Sequence, residues 1–144
     1  MRFALALTLG AVLPGPALAE TPMTGAEFQA HVGTNTFSYR YSNGVRGVAD
    51  YGPGRTLLWA FEGDSCVNGY WFDDGDELCF AFEDKTLSAC WHFYKDGNLL
   101  RGQATRLGSG DQTDIDTDID IDIDIFEVSH TDQPLTCPGA DTGV

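Results

Sequence analysis

Positive charge is scarce in this chain. Its 144 residues hold 8 Lys and Arg against 22 Asp and Glu, a formal net charge of −14. A phosphate backbone is repelled by such a surplus, so nucleic-acid binding is not expected. Long apolar runs are also missing: no window of 18 apolar residues occurs, and no membrane-spanning helix is expected in the mature chain. The cysteines never fall at C-x-x-C spacing, which removes a thioredoxin-like pair, a zinc ribbon and a c-type haem site. The three histidines, His31, His92 and His130, are scattered, with neither H-x-x-x-H nor H-E-x-x-H spacing. No serine lies in a G-x-S-x-G nucleophile elbow. No cofactor is implied, and a non-enzymatic role is the expectation.

What is present begins with an address. Met1-Arg2 give a positive start, Phe3 to Leu13 an apolar run, and Ala17-Leu18-Ala19 a small-x-small cleavage pattern. Residues 1–19 therefore read as a secretory signal peptide, with 20–144 as a single small β domain. Cys66, Cys79, Cys90 and Cys137 all fall in the exported part. An even count in an oxidising compartment, periplasmic or extracellular, implies two disulfides.

Thr24-Gly25-Ala26-Glu27 is a capping box, so a short helix should follow through His31-Val32, with Gly33 as a left-handed stop. Beyond Asn35 the helical period gives way to alternating runs between turn signals. Phe37, Tyr39 and Tyr41 alternate with polar residues, and Ser42-Asn43-Gly44 then turns the chain. Similar runs cover 45–51, 55–61, 66–72, 77–83, 86–95 and 98–107. The expected fold is all-β: one short N-terminal helix, then an antiparallel up-and-down meander of about eight strands forming a small barrel or half-barrel. A flattened sandwich is the alternative. The runs are too short and too often interrupted by charge for an outer-membrane barrel.

One hairpin fixes its own register. With a two-residue turn at Asp84-Lys85, Leu78 faces Trp91, Phe80 faces Ala89 and Phe82 faces Leu87 on one side. The other side sets Cys79 opposite Cys90 and Glu77 opposite His92. Directly opposed residues lie about 4.5–5.5 Å apart at Cα, within disulfide range. A slip of one residue would spoil the apolar face and the bridge together. Cys79–Cys90 is thus the preferred bond and Cys66–Cys137 follows by elimination, though other pairings stay open.

Asp114 to Ile125 alternates aspartate with isoleucine, broken at Thr117, which is the period of an extended strand. From Leu107 onward there are ten acidic residues and no Lys or Arg. A solvated strand face is the simplest reading. Asp116, Asp118, Asp120 and Asp122 are candidate calcium ligands, although the EF-hand glycine and glutamate are absent and alternate carboxylates stand about 6.6 Å apart. A basic protein partner is a third reading. A Pro- and Gly-containing tail, 132–144, completes the chain.

Aromatic residues crowd the middle strands, more often as core filling than as pocket lining. Tyr70, Phe72, His92 and Tyr94 are the candidate ligand contacts, because Gly69-Tyr70-Trp71-Phe72 holds more aromatic surface than one buried face needs. Glu77 with His92 is the only local acid–His pair, and it supports the alternative of a hydrolase acting on envelope material.

The segments Gly69-Tyr70-Trp71-Phe72, Glu77-Leu78-Cys79-Phe80 and Cys90-Trp91-His92-Phe93 follow a signal peptide and a short helix. In this they resemble a group of small exported alphaproteobacterial proteins of unknown function. The likeness covers about residues 23–107 and resumes near Phe126-Glu127-Val128, so the Asp-Ile run reads as an insertion. It implies export and a small β fold, and it carries no site residue. The expected function is a disulfide-stabilised binding module for a small ligand or an envelope protein.

Overall fold

The structure, a computed structural model, describes residues 11, 13–15, 18–84, 88–108 and 122–137. Most of the expected signal segment, most of the Asp-Ile run and the last residues of the tail lie outside them. Among the described residues no helix is long and apolar enough to cross a membrane.

Helix α1, Gly25–Val32, starts where the capping box places it: the Thr24 hydroxyl accepts from the Glu27 amide and the Glu27 carboxylate accepts from the Thr24 amide. It ends at Gly33, whose N–H donates to the Gln29 carbonyl. Gly33 sits at φ 53° and ψ −129°, so the stop uses a glycine-favoured conformation other than the left-handed helical one expected.

Eight strands follow: β1 Thr36–Tyr41, β2 Arg46–Tyr51, β3 Thr56–Phe61, β4 Val67–Asp74, β5 Glu77–Phe82, β6 Ser88–Asp96, β7 Leu99–Gly108 and β8 Asp124–Thr131. Each pairs antiparallel with the next, and β8 pairs with β1, which closes the barrel. Closure removes the sheet edges that an open meander would expose. The Asp-Ile alternation predicts a strand over 114–125, of which residues 114–121 lie outside those described; among the described residues β8 runs from Asp124 through Phe126-Glu127-Val128. Of the run, the described Asp124 and Ile125 are paired, Asp124 with Gln103 and Ile125 with Gly102 and Tyr41.

The expected hairpin register is observed, with Leu78 opposite Trp91, Cys79 opposite Cys90 and Phe80 opposite Ala89. The Phe82–Leu87 pairing falls on a residue outside those described. Both expected disulfides form, Cys79–Cys90 and Cys66–Cys137. After β8 the chain passes β2, where the Leu135 N–H donates to Asp50, and reaches Cys66 just ahead of β4. The tail is thereby strapped along the outside of the barrel. Its bond spans 71 residues and adds about 4 kcal/mol in the chain-entropy picture.

Two bulges interrupt the alternation of β7 and β8. In β7 the pairing steps from Trp91–Ala104 to Cys90–Arg106, so Thr105 is the extra residue. In β8 it steps from Tyr39–Glu127 to Ser38–Ser129, so Val128 is the extra residue. Beyond a bulge the in–out alternation is reversed relative to the sequence count.

Inside the barrel the two ends differ. Helix α1 inserts Phe28, fully buried, among Tyr51, Trp71, Phe80 and Phe93, with ring centroids 4.8–6.1 Å away. Those four rings come from β2, β4, β5 and β6, so Phe28 stands on the barrel axis and stoppers that end. Val32 is likewise fully buried. Arg55 covers Trp71 from the β2–β3 turn, its guanidinium 4.4 Å from the ring centroid and 2.8 Å from the Asp73 carboxylate.

Candidate functional site

Toward the opposite end the interior is hollow. Alternation points Tyr39 and Tyr41 of β1, Leu57, Trp59 and Phe61 of β3, Phe80 and Phe82 of β5, and Ala89, Trp91 and Phe93 of β6 inward. Together with Tyr51, Leu107, Ile123 and Ile125 they enclose a cavity of about 410 Å³, with Asn43 and Val45 of the β1–β2 turn at its rim. That volume lies within the usual range of ligand sites, roughly 300–1,000 Å³. Ala89, a small residue among these rings, contributes little volume to the wall. The Trp59 indole lies where a side chain on Gly47 would stand: a Cβ there would come within 2.3 Å of the ring. Tyr41 reaches across to Trp91, 6.1 Å between centroids.

The polar atoms on this wall are few. The Tyr39 and Tyr51 hydroxyls share one hydrogen bond of 3.0 Å. Burial holds the Tyr39 phenol well above its ordinary pKa of 10.0, with the neighbouring Tyr51 and the Glu127 charge adding to the effect. Burial likewise raises Tyr51, and pushes Tyr41 up to about 12. All three are neutral hydroxyls at any physiological pH. The Trp59 N–H is buried and has no hydrogen-bond partner among the described residues.

A second cluster lies at the stoppered end. Glu127 is buried inside the barrel, its side chain wholly shielded from solvent. It accepts from His31 Nε2 at 2.9 Å, from His130 Nδ1 at 2.9 Å and from the Leu100 backbone N–H at 2.9 Å. The β8 bulge makes this possible: Glu127 and His130 differ in parity, yet the extra residue Val128 brings His130 opposite the inward-facing Phe37. Both imidazoles pack on the Phe37 ring, at 5.6 and 5.1 Å between centroids. A buried carboxylate is tolerated only when its acceptor sites are engaged in this way. Its contacts tie α1 to β7 and β8, so the cluster braces the stopper. His130 also borders a wide polar groove with Tyr94 and Lys95.

Several sequence expectations are corrected here. The histidines are not all scattered, since closure of the barrel brings His31 and His130 to one carboxylate. No motif signals this, because 96 residues separate His31 from Glu127. The Glu77–His92 pair does not form. The β7 bulge turns Arg106 to the outer face, where it binds both Glu77 and Asp74 at 2.6 Å, and these contacts raise its already high pKa further. His92 is left 3.3 Å from Asp76.

The expected ligand contacts lie elsewhere than the cavity. Trp71 points inward, so Tyr70 and Phe72 face outward, 54% and 41% exposed. His92 and Tyr94 also flank inward residues, and Tyr94 packs against Arg101. Of the candidate metal ligands, Asp116, Asp118 and Asp120 lie outside the described residues, and Asp122 is exposed ahead of β8. Glu77, Cys79 and Cys90 converge with metal-ligand spacing, but the two sulfurs are bonded to each other.

The fold and site together define a closed eight-stranded β-barrel, stoppered at one end by a helix and hollow toward the other. No known family model, curated protein or solved structure matches the chain.

Proposed function

We propose that this is an exported binding protein that takes one small, largely apolar molecule into the hollow end of the barrel. The observation that carries the reading is the cavity of about 410 Å³ walled by aromatic and aliphatic side chains. Among the described residues its lining holds no carboxylate, imidazole, thiol or serine hydroxyl. Export is supported by the signal-like first nineteen residues and by two disulfides, which are typical of oxidising compartments. By scaling from an apolar cavity of about 150 Å³ that holds benzene, this one admits a molecule of roughly sixteen non-hydrogen atoms.

N-phenyl-1-naphthylamine, a neutral probe of about that size, should bind saturably at one site. Its emission should rise while that of Trp59 and Trp91, both in the wall, changes. Ala89→Phe, which fills the cavity, and Leu107→Trp, which narrows it near the rim, should each weaken binding at least tenfold without changing the far-UV circular dichroism. Absence of saturable binding by this probe and by a panel of neutral apolar molecules of similar size would overturn the proposal.

A further inference from the structure

The cavity wall has an imbalance of hydrogen-bonding groups. Trp59 is only 7% exposed, and its indole N–H finds no acceptor among the described residues. An indole nitrogen can only donate. The Tyr39 and Tyr51 hydroxyls, both in the wall, carry two protons but share a single hydrogen bond, so the accepting hydroxyl retains a proton of its own. Among the described residues no carboxylate lines the space to receive either proton. Leaving a buried donor unmade costs about as much as a good hydrogen bond contributes, and such vacancies in an otherwise apolar wall are uncommon.

Charge narrows the complement further. Among the described residues no lining side chain is ionised at neutral pH, and the chain as a whole carries −14. Asp64 borders the dip adjoining Trp59 and Phe61. A carboxylate ligand would thus be desolvated beside no cation and repelled on approach. A neutral oxygen meets neither penalty.

Resting on the reading of the cavity as a binding site, we infer that its ligand class is neutral, apolar molecules carrying a carbonyl or ether oxygen, which accepts from the Trp59 indole or the Tyr39–Tyr51 hydroxyl pair. The aromatic walls hold the skeleton, and the donors select the oxygen. This gives discrimination against plain hydrocarbons, which leave the donors unpaired, and against fatty carboxylates, which bring a charge.

Three probes of nearly equal shape test it: 9-fluorenone, fluorene and fluorene-2-carboxylate at pH 7, measured by calorimetry on the native protein, Trp59→Phe and Tyr51→Phe. Fluorenone should bind the native protein, with its carbonyl stretch moved to lower frequency than in hexane. At least one of the two substitutions should weaken fluorenone about fivefold to tenfold, the worth of one hydrogen bond, and reverse part of the spectral shift. Fluorene affinity should be unchanged or improved by the same substitution. The carboxylate should not bind at concentrations that saturate with the ketone.

If none of the three probes binds, the cavity reading itself fails. If the probes bind but both substitutions affect ketone and hydrocarbon equally, the donors do not select the ligand. A carboxylate that binds more tightly than the ketone would also overturn the inference.

Discussion

Glu127 is the residue whose environment departs furthest from its chemistry. A carboxylate is rarely buried without solvent, and this one is held by two imidazoles and a main-chain N–H. Replacing it by leucine removes the charge but strands the Leu100 N–H and the His31 ring donor in the interior. Glu127→Leu should therefore cost about 3–5 kcal/mol in urea denaturation, the range for removing one partner of a buried charged network. Glu127→Gln keeps one acceptor oxygen and should cost distinctly less. Equal and small losses in both variants would show that the cluster braces nothing. Gly47 makes the complementary point by absence of a side chain. The Trp59 indole occupies the space a Cβ would take, so even alanine there must displace the ring that carries the free donor.

Among the elements, α1 has the largest effect for its size. Eight residues close one end of an eight-stranded barrel, chiefly through Phe28 and Val32. Phe28→Ala should destabilise the fold by about 3–5 kcal/mol in chemical denaturation. It should also weaken N-phenyl-1-naphthylamine binding, because Phe80 and Phe93 form part of the cavity wall while packing on Phe28. Unchanged stability would mean that the helix merely rests on the barrel.

The strands differ in how far they could be read in advance. The β5–β6 pairing was legible because the apolar face and the two cysteines demand the same register. The capping box placed α1 within a residue. The neighbours of β8 were not legible, because Asp-Ile alternation marks an extended segment without naming the strand beside it. Nor were the bulges at Thr105 and Val128, which carry no glycine or proline to mark them. Those bulges decide which residues face inward, and so the Glu127 cluster and the Arg106 ion pairs were hidden as well. The cavity was illegible for a different reason. Alternation tells which side chains enter a barrel, not whether their summed volume fills it.

For the molecule as a whole, the tyrosine interior sets a response to alkali. The phenols of Tyr39, Tyr41 and Tyr51 ionise at higher pH in the fold than in the unfolded chain, because burial penalises the charged form. Their contribution to stability is thus intact below the unfolded value of about 10 and is lost as pH rises through the folded values. The lowest of these is about 12. Between the two, stability should fall by about 1.4 kcal/mol per pH unit for each phenol. Near-UV circular dichroism should collapse in that interval together with the appearance of phenolate absorbance from these three residues. Tyr41→Phe should make the fall shallower. Phenolate formation at all three with the dichroism still native would contradict their burial. The acidic surface acts at longer range, opposing association with other anions wherever salt is low.

The bond between Cys66 and Cys137 also determines how the molecule bears tension. A load applied to the C-terminus enters the barrel through sulfur at the approach to β4 and never reaches β8, because the covalent short-cut lies in its path. The stretch between the two cysteines, 71 positions apart, is therefore withheld from stretching, and only the chain outside residues 66–137 can pay out when the ends are drawn apart.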